Sequence, residues 1–212
     1  MRFFLTSDDP KSKARALTLS KKLNIEIFKK PPQKQIKEFS EDYFFTCSKG
    51  RLFLKKGLRQ NSKPIFSDFD DWAKNYDDNL LKNSTKGLPA NFSCLDLTAG
   101  FGKDALEISK VVNCKSLVLV EKEAWVFELL VDGIKNISCS RAGGLLKKFK
   151  TFNMDNLEFL ESKNETFDLV YIDPMFLGVK KSKAKKHMQA LRDLSTAVIQ
   201  NKLLEKSLDF AN

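Results

Sequence analysis

Ser93-Cys94-Leu95-Asp96-Leu97-Thr98-Ala99-Gly100-Phe101-Gly102-Lys103-Asp104-Ala105-Leu106 is the stretch on which the fold turns. SCLDLT (93–98) is a short apolar run suited to a buried strand. Residues 103–111 carry Ala105, Leu106 and Ile108 at helical spacing. The turn between them holds two glycines, which let backbone approach a ligand closely at the carboxyl end of a strand.

Downstream the alternation continues. SLVLV (116–120) predicts a second strand ending on Glu121, followed by a helix over 123–134 and an interruption at Gly143-Gly144. A third strand is expected at about 150–154, a helix at 156–162, and a fourth strand at FDLVYI (167–172). Apolar strands alternating with helices indicate a parallel sheet covered on both faces, an α/β fold of Rossmann-like architecture. An amphipathic helix at about 184–206, with Ala184, Met188, Leu191 and Val198 inward, would close the chain. Upstream, a strand at 2–6, a helix at 10–23, an apolar run at 25–28 and a hairpin (43–47 and 51–55 around Ser48-Lys49-Gly50) describe a small α+β unit. A helix over 70–82 and the loop-like NSTKGLP (83–89) follow, placing the expected seam there. The two domains are then 1–83, for substrate or RNA, and 84–212, for a cofactor.

The chain has 212 residues, 42% of them apolar, and a net charge of +10. That composition excludes a disordered chain, a collagen-like fibre and a disulfide-stapled miniprotein. Residues 1–66 contribute +10, residues 67–132 contribute −5 and residues 133–212 contribute +5. Basic ends around an acidic centre favour a polyanion at the surface. The four cysteines form no CxxC pair and the single histidine is His187, so no zinc site is expected and the thiols should be reduced. No run approaches the roughly 18 apolar residues of a membrane span. A soluble, cytoplasmic, metal-free monomer is expected.

Gly100-x-Gly102-x-x-Ala105 matches a dinucleotide fingerprint, and Glu121 lies where a ribose-binding acid belongs. Nicotinamide and S-adenosylmethionine enzymes share both features. Asp96 and Asp104 separate them, because two carboxylates repel a pyrophosphate and attract a sulfonium and an ammonium. Read as fold-makers alone, Asp104 would cap a helix and Asp96 would form a turn. After the fourth strand comes Asp173-Pro174-Met175-Phe176. An exocyclic amine on a base is a weak nucleophile. A site that methylates it needs a carboxylate, a rigid turn presenting carbonyls and an aromatic ring for stacking, which Asp173, Pro174 and Phe176 supply. Lys180, Lys181, Lys183, Lys185 and Lys186 follow directly, where phosphates flanking a flipped nucleotide would lie. His187 reads as a phosphate contact or a solvated residue, and Trp72 and Trp125 as core anchors.

DLTAGFGKDAL (96–106), Glu121-Lys122, DPMF with KKSKAKKHM (173–188) and PIFSDF (64–69) together resemble the RsmJ-type class I methyltransferases. The resemblance implies S-adenosylmethionine as cofactor and methylation of a guanine exocyclic amine in 16S ribosomal RNA, with ribosomal RNA or the small subunit as partner. It implies cofactor contacts at Lys103, Asp104, Glu121, Lys122, Asp155, Asn156 and Asp173. Glu121 would take the ribose hydroxyls and Asp155 the adenine amine, with Asp173 between cofactor and target amine. Family members continue into further strands, so a C-terminally shortened sheet is expected. A catalytically impaired cofactor- or RNA-binding homologue, or an enzyme acting on another amine in DNA or a protein amide, are the competing readings.

Overall fold

The computed structural model describes residues 3–7, 10–29, 31–59, 61–75, 79–173, 190 and 201–211. They separate into two compact units, one ending at Phe66 and one beginning at Ser67.

The first unit is a four-stranded sheet in the order β2-β1-β3-β4: β1 (Phe3–Ser7), β2 (Glu26–Ile27), β3 (Tyr43–Ser48) and β4 (Arg51–Lys56). α1 (Pro10–Leu23) makes the crossover that lets β1 and β2 run parallel. β3 is buried from Tyr43 to Cys47 and pairs antiparallel with β4. Lys49 and Gly50 take positive φ (48° and 78°) between them, the conformation a two-residue hairpin loop requires. The anticipated hairpin therefore forms, one residue longer on each strand.

The second unit carries the parallel sheet β7-β6-β5-β8, built from β5 (Phe92–Asp96), β6 (Cys114–Glu121), β7 (Phe149–Asn153) and β8 (Leu169–Tyr171). Leu95, Leu97, Val118 and Val120 pack with Phe159 and Leu160 of α7 (Asn156–Ser162) and Leu203 of α8 (Asn201–Leu208). Leu117 and Leu119 alternate with them and are also fully buried, so β6 is covered on both faces. α4 (Lys103–Ser109), α5 (Ala124–Lys135) and α6 (Ser140–Leu146) complete the described layers. Asp168 accepts hydrogen bonds from the Ser93 amide (2.7 Å) and hydroxyl (2.8 Å), fixing β8 beside β5 rather than beyond β7. Those bonds hold its carboxyl below the usual range. The strand order thus reverses between β5 and β8, the switch point at which open α/β sheets bind ligands.

Three expectations are corrected. The seam lies at Phe66/Ser67, not at 83/84. α2 (Phe69–Asn75) buries Phe69 and Trp72, and the Ser67 hydroxyl donates to the Phe101 carbonyl at 2.8 Å, so this segment belongs with the second unit. The helix expected over 70–82 is two, α2 and α3 (Asn79–Ser84). Gly143 and Gly144 do not interrupt a helix but lie inside α6. Buried Ala142 and Leu146 anchor it, and the Asp70 carboxylate accepts from the Ser138 and Cys139 amides and the Ser138 hydroxyl at its start. Tertiary contacts outweigh the roughly 1 kcal/mol helix penalty of each glycine. Burial works against ionisation of Asp70, yet the Ser138 hydroxyl and the two amides hold its carboxyl below the ordinary value. Of the helix expected at 184–206, only Ala190 and the α8 residues are described; Ala184, Met188, Leu191 and Val198 lie outside the described residues. Trp72 and Trp125 are both buried, as anchors should be. None of the four cysteines is in a disulfide, and no helix among the described residues is long and apolar enough to cross a membrane.

Candidate active site

The site begins at the carboxyl end of β5. Asp96 is 1% exposed, and its Oδ1 accepts the Thr98 amide at 2.9 Å, closing the turn. Gly100 and Gly102 follow with φ of +54° and +81°, which L side chains rarely adopt. A Cβ on Gly102 would also stand 2.6 Å from Leu130 Cδ1 and 2.9 Å from Phe69 Cζ. Glycine there is a packing requirement as well as a turn requirement.

Glu121, the last residue of β6, closes the next side. Its Oε2 accepts the Gly100 amide at 2.8 Å and its Oε1 the Glu123 amide at 2.8 Å, so the acid fixes the glycine turn directly. Each oxygen keeps a lone pair, the capacity a ribose diol needs. Asp104 does not cap its helix; the residue at that cap is Gly102, without a side-chain bond. Instead Asp104 Oδ2 accepts the Tyr171 hydroxyl at 3.1 Å. Asp173 lies two residues past β8, is exposed, and donates its amide to Thr98 Oγ1 at 2.8 Å.

Four carboxylates therefore share one rim. Asp96 is pushed up to about 8, chiefly by burial, with the Thr98 amide opposing the rise and the Asp104, Glu121 and Asp173 carboxylates adding to it. Burial likewise lifts Glu121 to about 7, opposed by the Glu123 and Gly100 amides. Tyr171 is raised well above its ordinary value by burial and by Asp104, so it remains a hydrogen-bond donor. A cation placed here would draw these acids into their ionised forms, and a pyrophosphate would be repelled.

β7 supplies the remaining side. Asp155 is the N-cap of α7, its Oδ1 accepting from the Leu157 amide at 2.9 Å and the Glu158 amide at 3.4 Å. Capping thus occupies one oxygen of the acid expected to meet an adenine amine. Beside it, Asn156 is 7% exposed and its buried Oδ1 has no hydrogen-bond partner. Such an acceptor is costly unless something donates to it. Lys103 opens α4 and Lys122 follows Glu121, both half-buried. The structure thus brings Asp96, Gly100, Gly102, Asp104, Glu121 and Asp173 to one edge, while Asp155 caps α7 through its Oδ1. Pro174, Phe176 and the lysines 180, 181, 183, 185 and 186 lie outside the described residues. No group of three or more His, Cys, Asp or Glu among the described residues is placed to hold a metal ion.

Sequence reasoning passed over Thr98, Tyr171 and Ser67 as site builders. Thr98 stood inside the quoted motif and Ser67 inside PIFSDF, but their hydrogen bonds span 75 and 34 residues. Nothing local could reveal them.

The residues present fit S-adenosylmethionine on two observations: nearly neutral buried acids that a sulfonium or ammonium would ionise, and the orphaned Asn156 acceptor that an adenine amine would satisfy. Parallel strands reversing order at an acid-lined glycine turn are the arrangement a class I methyltransferase uses for this cofactor. The chain belongs to the family described as "Putative SAM-dependent methyltransferase", whose model matches residues 33–212. It is 27% identical over 187 residues to ribosomal RNA small subunit methyltransferase J of Francisella tularensis subsp. holarctica, covering 81% of this chain and 77% of that one. With the protein of the same name from Hahella chejuensis it shares 31% identity over 163 residues, covering 72% and 60%. The crystal structure of a SAM-dependent methyltransferase from Neisseria gonorrhoeae superposes with a TM-score of 0.63 at 19% identity, covering 82% and 70%, and shares the fold.

Proposed function

We propose that this chain methylates the exocyclic amine of a guanine in small-subunit ribosomal RNA. S-adenosylmethionine, when bound, supplies an electrophilic methyl group carried on a sulfonium. Asp96 and Asp104 surround the cationic part of the cofactor with negative charge, Glu121 takes the ribose hydroxyls, and Asn156 accepts from the adenine. Lys103 and Lys122 complete the cofactor contacts, with Asp155 setting the start of α7. The Asp173 carboxylate accepts from the target amine, turns its lone pair toward the methyl, and takes the released proton or passes it to water. Pro174 and Phe176 hold the base flat, and the lysine run 180–186 takes the flanking phosphates.

One observation carries this reading: the Asp173 amide bonded to Thr98 Oγ1 at 2.8 Å. It ties the base-binding end of β8 to the cofactor turn of β5, so the two reactants are positioned by one rigid edge, and positioning is the main contribution a methyltransferase can make. The names of the Francisella and Hahella relatives support ribosomal RNA as substrate.

The test is tritium transfer from labelled S-adenosylmethionine to small-subunit ribosomal RNA by wild type and Asp173→Ala. A loss of about 10²–10³-fold in kcat, as for removal of one transition-state hydrogen-bond partner, is expected. The KM for cofactor should move far less. Full activity in the variant would refute the role of Asp173. Cofactor binding by wild type without transfer would leave only the impaired homologue.

A further inference from the structure

We infer that the first unit contains a second, separate RNA site: a pocket that receives one unpaired nucleotide through its phosphate. This rests on the ribosomal RNA reading above and adds a site for substrate capture built from the first unit's own residues.

The pocket is a cavity of about 480 Å³ within the first unit, at the end of the β3–β4 hairpin where Tyr43 pairs with Lys56. Its size falls in the range of small-ligand sites. Lys56, Arg59 and Lys63 line it, against one carboxylate, Glu41. That carboxylate is already engaged with Lys56 at 3.0 Å, and the same ammonium lies 5.6 Å from the Tyr43 ring. Arg59 and Lys63 differ from Lys56: both are exposed and neither has an ion-pair partner among the described residues. Among the described residues, the pocket therefore keeps two cations without an ion-pair partner once Glu41 is neutralised.

The shape is built in. Gly57 turns the chain at φ +70°, donates its amide to the Asp42 carbonyl at 2.8 Å, and approaches Ser40 so closely that a Cβ would lie 3.2 Å from its carbonyl oxygen. The Ser62 hydroxyl donates to the Lys56 carbonyl at 2.6 Å and its amide to the Arg59 carbonyl at 3.0 Å. Arg59 and Lys63 thus stand beside anchored backbone.

Charge and concavity together select the ligand. Two free cations favour a phosphodiester over a neutral or cationic group. A duplex presents its phosphates on a convex cylinder, which a cavity cannot follow, whereas an unpaired nucleotide can enter. Residues 1–66 hold sixteen Lys/Arg against six Asp/Glu, so the surrounding field draws a polyanion toward the pocket.

The experiment is fluorescence anisotropy with a fluorescein-labelled single-stranded oligoribonucleotide from small-subunit ribosomal RNA, titrated over a range of salt, for wild type and Arg59→Glu/Lys63→Glu. The double variant should bind about tenfold or more weakly, with a salt slope reduced by about 1.4, or roughly 0.7 per lost single-strand phosphate contact. Its cofactor affinity by calorimetry should be unchanged. Arg59→Gln/Lys63→Gln should show a smaller loss of the same sign. If wild type binds the RNA and both variants match it in affinity and slope, the pocket is not the site, while the proposed function stands. If wild type binds no RNA, both readings fall. Equal competition by guanosine monophosphate would overturn the strand assignment in favour of a small anion.

Discussion

The acid rim of the second unit and the basic pocket of the first treat charge in opposite ways. Asp96 and Glu121 are buried, tied to backbone amides and pushed toward neutrality, whereas Arg59 and Lys63 are exposed to water. The contrast suits the ligands proposed for each. A single small cation must be held in one pose, so the acids are fixed beforehand and ionise when it arrives. A polyanion is gathered over distance, which requires charges that are already present and solvated.

The rim should consequently be brittle and the pocket tolerant. Gly102→Ala gives the largest expected effect, because its Cβ meets Leu130 and Phe69 at under 3 Å in a conformation alanine resists. A loss of about 2–3 kcal/mol in urea unfolding is expected, together with weakened cofactor binding. Wild-type stability in this variant would mean that the turn is loose.

Asp96→Asn probes the pre-set acids through pH. Asp96 holds its proton more tightly folded, at about 8, than unfolded, at its ordinary value near 3.8. Its contribution to stability is therefore complete below about pH 4 and is lost as the pH rises through about 8. The melting temperature of cofactor-free wild type should fall across that window. Asp96→Asn should flatten the fall, match wild type below about pH 4, exceed it by a margin that grows up to about pH 8, and bind S-adenosylmethionine more weakly. An unchanged pH profile would show that Asp96 is ionised from the start.

Ser67→Ala should have the smallest effect, near 1–2 kcal/mol, because it strands the buried Phe101 carbonyl inside the cofactor turn. A several-fold rise in the KM for cofactor with little change in kcat is the signature of a positioning role. An equal fall in kcat would instead place Ser67 in the transition state.

Much of the second unit is legible in the sequence because parallel strands buried on both faces read as unbroken apolar runs, as SLVLV does in β6. The acids at strand ends were legible too, since Asp96 and Glu121 sit where a Rossmann-like sheet opens. What escaped is long-range. The domain seam depended on Phe69 and Trp72 choosing the second unit, and α6 on an Asp70 cap 68 residues away from Ser138. The Tyr171–Asp104 bond joins a strand residue to a helix start 67 positions apart. Asp155 shows the converse: the acid expected to meet a ligand after β7 is an N-cap, and the unfilled acceptor is its neighbour Asn156.

The most direct measurement of the central claim is nucleoside mass spectrometry of 16S ribosomal RNA from cells with and without the gene. One guanosine should be methylated on its exocyclic amine in the first and unmethylated in the second, restored by the wild-type gene and not by Asp173→Ala. Identical methylation in both strains, or a lost methyl on another base or another atom of guanine, would contradict it.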